Sequence, residues 1–193
     1  MKSQKNFLQG ILLASIIIMA SCSETRKIAR QEVGTEIDMP CYGRKYQSDK
    51  RYFRANQIST SSDISYSKEK ALLAAKRKLT SLINSQMKSV TSRYANERDV
   101  SDKHEFEQKM ENETREVINQ KLHDVAIICE KTHVVKGDLY RTFMGVEIPK
   151  EDFFNSLNQG ISKDERLQLE YDQKKFREIY DEEMKKLENE SGQ

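Results

Sequence analysis

The sequence of 193 residues is poor in the side chains from which most enzyme sites are built, with three histidines, three cysteines and seven glycines. His104, His123 and His133 are far apart, and no H-x-x-x-H, C-x-x-C or H-E-x-x-H spacing occurs, so no metal site is indicated. The sequence also lacks a G-x-S-x-G motif and a glycine-rich phosphate loop. We therefore expect that the protein is not an enzyme and that it uses no cofactor or metal ion.

An excess of one charge is also missing. Residues 22–193 contain 31 basic and 31 acidic residues, so the total charge does not indicate nucleic-acid binding, and we expect no nucleic-acid partner. The signs are unevenly distributed, because residues 22–98 have 16 basic and 8 acidic side chains and residues 99–193 have 15 and 23. Either the two halves form complementary solvated surfaces, which we favour, or the basic half lies near anionic lipid or glycan.

The long apolar run at residues 7–20 follows two lysines and ends in small residues, which is typical of a secretory signal peptide. A membrane-spanning helix needs roughly 20 apolar residues, more than this run provides. The run ends in MASC at residues 19–22, which resembles the lipobox of bacterial lipoproteins. The resemblance implies removal of residues 1–21 and attachment of several fatty acyl chains, palmitate among them, to Cys22, which gives stable membrane anchoring.

This anchor predicts a lipoprotein of the cell envelope. We expect it in the outer membrane, and the sequence leaves open whether it faces the periplasm or the cell surface. Residues 22–50 are mostly polar and contain Gly34, Pro40 and Gly43. They are interpreted as a tether that leads from the membrane to a folded domain.

Alternating hydrophobicity and helical spacing predict one domain over residues 51–158. Its predicted elements are a strand at 51–60, a long amphipathic helix from 67 to about 98, a second helix that Asp102 and Glu105 open as a capping box, a β-hairpin formed by 125–135 and 139–149, and a short helical segment from 150 to 157. Helices that each have one apolar face are expected to pack on the small antiparallel sheet. The predicted fold class is therefore α+β.

Residues 159–193 are predicted to form a separate, highly charged helix, with Ser162 and Glu165 as its capping box. Its apolar side chains form a narrow stripe, which either packs on the domain or contacts a partner. The partner would be another envelope protein or a second copy, bound through residues 163–190. We expect the domain to remain folded when this helix is deleted.

Cys41 and Cys129 remain beside Cys22. An exported protein meets oxidising conditions, so this pair is a candidate disulfide that would clamp the end of the tether to the hairpin. Two free thiols are the alternative, because a single pair has no diagnostic spacing.

The stretch YFRANQISTSSDISYSKEKALLAAKRKLTSLI at residues 52–84 combines an aromatic strand, a Ser/Asp-rich turn and a helix with small residues at regular spacing. It resembles the twenty-kilodalton Helicobacter-type lipoprotein family and, more distantly, the N-terminal domain of flagellar assembly protein T. The residues that carry the resemblance are Phe53, Arg54, Ala55, Ser61, Ser62, Asp63, Ala71, Ala74, Ala75 and Leu79. The resemblance covers residues 52–158 and departs at Asn56, where the family usually has glycine. It implies an envelope lipoprotein without an established enzymatic role, and it assigns no site residues.

Two functions fit these observations. The first is a structural or protein-interaction role, as an accessory or assembly protein held at the membrane. The second is a binding module for an envelope glycan, lipid or peptide. An exposed apolar helical stripe would favour the first function, and a pocket with convergent polar groups would favour the second.

Overall fold

A computed structural model describes residues 37–191 of the chain. The predicted signal peptide, Cys22 and the tether up to residue 36 lie outside the described residues. From Met39 onward the described chain forms one compact unit. Between residues 37 and 191, no helix is both long and apolar enough to cross a membrane.

The described part of the chain contains five α-helices, one short 3-10 helix at Arg44–Tyr46 and one sheet of three antiparallel strands. The elements follow in the order β1 (Tyr52–Ser61), α1 (Ile64–Glu97), α2 (Lys103–His123), β2 (Ala126–Val135), β3 (Leu139–Pro149), α3 (Lys150–Ile161), α4 (Glu165–Glu170) and α5 (Gln173–Ser191). The predicted α+β class is confirmed.

The sheet has the strand order β1-β3-β2, with β3 in the centre. β2 and β3 form the predicted hairpin, and a three-residue loop at 136–138 joins them, in which Gly137 and Asp138 both have positive φ. β1 pairs antiparallel with β3, so that Phe53 lies beside Ile148. Side chains therefore alternate between the two faces of the sheet. The first face carries apolar core residues, among them Phe53, Ala55 and Ile148, and the second face carries Asn56 and Cys129.

The first sheet face is covered by the N-terminal half of α1. Asp63 caps this helix by accepting a hydrogen bond from the N–H of Tyr66 at 2.7 Å. Ala71 and Ala75 are fully buried. Their small side chains let α1 approach the strands closely, which accounts for the run of alanines in the sequence.

The C-terminal half of α1 extends beyond the sheet and packs on α2 and α5. The apolar stripe of α5 is buried there, in the same core cluster as the sheet residues. Its buried members are Phe176, Ile179, Tyr180, Met184 and Leu187. Of the two alternatives for this helix, the structure shows packing within the chain. The expectation that residues 51–158 form the core alone is wrong, because α5 is part of the same core.

The predicted single helix after residue 162 is divided into α4 and α5. Asp164, not Ser162, caps α4 by accepting from the N–H groups of Arg166 and Leu167. Tyr171 has extended backbone, and Asp172 accepts from the N–H of Lys175 at 3.0 Å to open α5. The hydroxyl of Tyr94 holds this break, because it accepts from the N–H of Asp172 at 2.6 Å and donates to the carbonyl of Glu170 at 2.8 Å.

Residues 39–50, predicted as the end of the tether, belong to the compact unit. Asn56 donates to the carbonyl oxygen of Cys41 at 3.1 Å on the second sheet face. Tyr46 of this segment lies over Gly145, where an added Cβ would be in ordinary van der Waals contact with the Tyr46 ring at 3.7 Å. Cys41 and Cys129 are joined by a disulfide with an S–S distance of 2.07 Å. The segment is therefore fixed to the sheet.

Candidate ligand-binding cleft

A cleft of about 580 Å³ opens where the start of β1, the junction of β3 with α3, and one side of α5 come together. Five basic and three acidic side chains line it, so its formal charge is +2. The basic residues are Lys50, Arg51, Lys150, Arg177 and Lys185, and the acidic residues are Glu151, Asp181 and Glu188. Tyr52, Pro149, Tyr180 and Met184 complete the lining.

Lys150 lies in the wall of the cleft at the first position of α3. Its backbone is fixed from two sides, because its N–H donates to the carbonyl of Arg51 at 2.9 Å and its carbonyl accepts from the hydroxyl of Tyr180 at 3.1 Å. The residue as a whole is only 3% exposed. The Nζ atom has no hydrogen-bond partner within the described residues and stands 5.2 Å from the centre of the Phe53 ring.

Burial lowers the pKa of Lys150 from 10.5 to about 8, because the surrounding protein disfavours the charged ammonium. The negative charges of Asp49 and Glu188 act in the opposite direction and offset only part of this effect. The aromatic face of Phe53 offers the ammonium a weak cation–π contact in place of a hydrogen bond. A cationic group without a strong counter-group is thus held beside the cleft.

Asp49 cannot serve as that counter-group, because its carboxylate is already bound elsewhere. It accepts from the N–H groups of Arg51 and Tyr52 at 2.7 and 3.0 Å, and it pairs with Arg54 at 2.6 Å. Burial alone would raise the pKa of Asp49, but these donors hold it below its ordinary value. Arg54 also pairs with Glu147 at 2.7 Å.

Arg177 is likewise committed to partners inside the cleft. Its guanidinium forms two hydrogen bonds with Glu151, at 3.0 and 2.7 Å, and contacts both oxygens of Asp181 at 3.0 Å. It also stacks 4.5 Å from the centre of the Phe154 ring. Hydrogen bonds to Glu151 and Asp181 raise its pKa above the ordinary value. Together, Arg177, Glu151 and Asp181 contribute one net negative charge to the cleft.

The remaining charges of the cleft are not neutralised in this way. Lys50, Arg51 and Lys185 form no ion pair within the described residues, and neither does Glu188. Three basic groups therefore stand near the buried Lys150 with a single free carboxylate among them. Such an arrangement of unpaired like charges favours an anion as the missing component.

A second groove of about 400 Å³ runs between α1 and α2. The hydroxyl of Thr114 is buried at this groove and has no hydrogen-bond partner within residues 37–191. Lys88 and His104 line it together with Glu107 and Glu111, so charges of both signs are present. This groove does not concentrate one kind of ligand-binding group.

The other residues singled out in the sequence do not line the Lys150 cleft. Cys129 lies on the second sheet face in the disulfide, and His104 lines the α1–α2 groove. The ring of His133 meets the ring of Phe143 edge-to-face, with 5.6 Å between the ring centroids. Among residues 37–191, no group of three or more His, Cys, Asp or Glu side chains is arranged to hold a metal ion.

Sequence reasoning did not find Lys150, although one local signal was present. The first turn of a helix favours acidic side chains, because they complement its dipole. Lys150 follows Pro149 at that position, ahead of Glu151 and Asp152. A lysine placed against this preference indicates a constraint other than helix stability.

Comparison of the chain with protein-family models, with curated proteins and with solved structures gives no match. The resemblance described from residues 52–158 therefore remains a prediction.

Proposed function

We propose that this protein is a membrane-anchored bacterial envelope lipoprotein that acts as a ligand-binding module, with the Lys150 cleft as its binding site. The attachment rests on the lipobox-like sequence that ends in Cys22. The binding function rests on one observation, the buried and unpartnered ammonium of Lys150 in the wall of a cleft with unpaired basic residues.

The packing of α5 supports this choice over an interaction role. The apolar stripe that would have served as a docking surface is buried against α1 and α3. Convergent polar groups are instead found at the cleft, where about 580 Å³ of space is within the range of small-molecule sites.

An accessory or assembly role is a second candidate, and Leu169 supports it. This side chain lies on α4, inside the proposed partner region 163–190, and is 86% exposed. A partner or second copy at this region would contact Leu169 and the charged side of α5. Cross-linking of the protein to its partner tests this role. Loss of the cross-linked complex in Leu169→Glu, with the complex retained in the cleft variant Lys185→Trp, would favour it.

The binding function is tested by thermal unfolding with fractionated small molecules from envelope extract. A ligand at about 100 times its Kd contributes about 2.7 kcal/mol, which corresponds to a rise in Tm of roughly 5–10 °C for a domain of this size. Lys185→Trp fills the cleft and should abolish the rise. Lys174→Trp lies on an exposed position of the same helix outside the lining, so it should behave as wild type. An equal rise in all three proteins, or none in any, contradicts the proposed site.

The anchor is tested separately by detergent-phase partitioning. Processed wild-type protein should enter the detergent phase, since several acyl chains give stable membrane attachment. Cys22→Ala should accumulate as an unprocessed precursor. Normal processing and sorting of this variant would refute the anchor without affecting the cleft.

A further inference from the structure

We infer that the ligand of the Lys150 cleft is a phosphate monoester, bound as a dianion by the unpaired basic groups. This inference rests on the proposed binding function and adds the chemical class of the ligand. The groups that carry it are Lys50, Arg51, Lys150 and Lys185.

The net charge of the cleft matches this ligand. The lining has a formal charge of +2, and a phosphate monoester carries close to two negative charges above its second pKa of about 6. Arg177 is already occupied by Glu151 and Asp181, so it is not available to an anion. The compensating positive charge comes from the unpaired lysines and Arg51.

The donor groups also suit phosphate. A monoester presents three strong acceptor oxygens, and the rim offers one guanidinium and two ammonium groups. Arginine can donate two hydrogen bonds to one phosphate, whereas a lysine acts as a point charge with freely rotating donors. A neutral ligand would leave these charges uncompensated.

The ammonium of Lys150 also attracts an anion in the cleft, although it lies below the protein surface. Its Nζ is closed off from solvent, so its attraction to an anion in the cleft is screened less than that of an exposed ammonium. The charged groups around it are Asp49, Arg51, Glu151, Arg177, Asp181 and Glu188. Of these carboxylates only Glu188 has no ion-pair partner within the described residues. A bound dianion therefore supplies the counter-charge that Lys150 lacks.

The test is an NMR titration of the full-length processed protein, labelled with ¹³C at lysine Cε, in neutral detergent. The Lys150 signal is assigned by its absence in Lys150→Met. Saturating methyl phosphate should raise the Lys150 pKa by about one unit, because an anion stabilises the ammonium, and one unit equals a tenfold difference in affinity. A neutral ligand in the same cleft would lower the pKa by removing water. Unchanged or lowered Lys150 pKa with methyl phosphate overturns the inference.

Affinity measurements on variants provide the second arm. Lys150→Met should weaken methyl phosphate binding about tenfold, Lys185→Gln several-fold, and Lys174→Gln not at all. Dihexanoyl phosphatidic acid and methyl phosphate carry the same phosphate group, so a comparison of their affinities distinguishes the two sources of the ligand. Tighter binding of the phosphatidic acid indicates a lipid headgroup, and equal binding indicates a soluble monoester. Tighter binding of succinate than of methyl phosphate overturns the inference. If an extract fraction still raises Tm when methyl phosphate does not bind, the ligand class is wrong and the binding function stands.

Discussion

At the scale of single residues, the charge of Lys150 makes stability depend on pH. Its pKa falls from 10.5 to about 8 on folding, so between these values the unfolded chain binds more protons than the folded chain. The free energy of unfolding should therefore rise with pH across this interval. Below pH 8 the ammonium is charged in both states, and its burial lowers stability in full.

Replacement of Lys150 by methionine removes this dependence. We expect Lys150→Met to be more stable than wild type at pH 7, by roughly 1–2 kcal/mol. This gain is smaller than the free energy that corresponds to the full pKa shift, because the substitution also removes the cation–π contact with Phe53. The difference should narrow toward pH 10. Urea unfolding at pH 7, 8.5 and 10 measures it, with the exposed Lys174→Met as control. A difference that is the same at all three pH values would show that Lys150 does not titrate differently on folding.

At the scale of secondary structure, α5 completes the core. Its five buried apolar side chains are Phe176, Ile179, Tyr180, Met184 and Leu187. Each contributes roughly 1.5–3 kcal/mol when fully buried. Their sum is comparable with the whole stability of a typical domain, roughly 5–15 kcal/mol.

Deletion of residues 172–193 should accordingly leave the chain unfolded at room temperature. Circular dichroism during thermal unfolding measures this, and removal of residues 192–193 alone serves as the control. Cooperative unfolding of the shortened chain near the wild-type Tm would restore the expectation that residues 51–158 hold an independent core.

Elements with strong local signals were predictable from sequence. β3 was predicted with its observed bounds, and α2 begins after Asp102 as its capping pattern indicated. The break between α4 and α5 was missed because it depends on a tertiary contact, the pair of hydrogen bonds that Tyr94 makes. Residues 39–50 were missed because their polar composition concealed the burial of Cys41.

The cleft was not predictable for a similar reason. Lys50, Lys150 and Lys185 are far apart in the chain and belong to three different segments. Only the close approach of β1, α3 and α5 places them around one space. A single sequence shows each of them as an ordinary solvated lysine, and the burial of Lys150 follows from the way Phe53 and Tyr180 pack.

At the scale of the whole molecule, the disulfide fixes the point at which the chain enters the domain. Cys41 and Cys129 are separated by 88 positions, so their bridge restricts a long loop in the unfolded chain. Cys129→Ser should lower the free energy of unfolding by roughly 2–4 kcal/mol. Reduced wild type should unfold at the same urea concentration as the variant. Two free thiols in denatured, unreduced wild type, in addition to any at Cys22, would contradict the bridge.

A buried, unpaired ammonium marks the binding cleft only if Lys150 titrates far below an ordinary lysine, so the decisive measurement is the pKa of Lys150 in the ligand-free protein. Lysine ¹³Cε shifts are followed by NMR from pH 6 to pH 12, with the Lys150 signal identified by its loss in Lys150→Met. The structure predicts a midpoint of about 8 for Lys150. A midpoint near the ordinary value of 10.5 would show a solvated or paired lysine, and the cleft would lose the feature on which the proposed function rests.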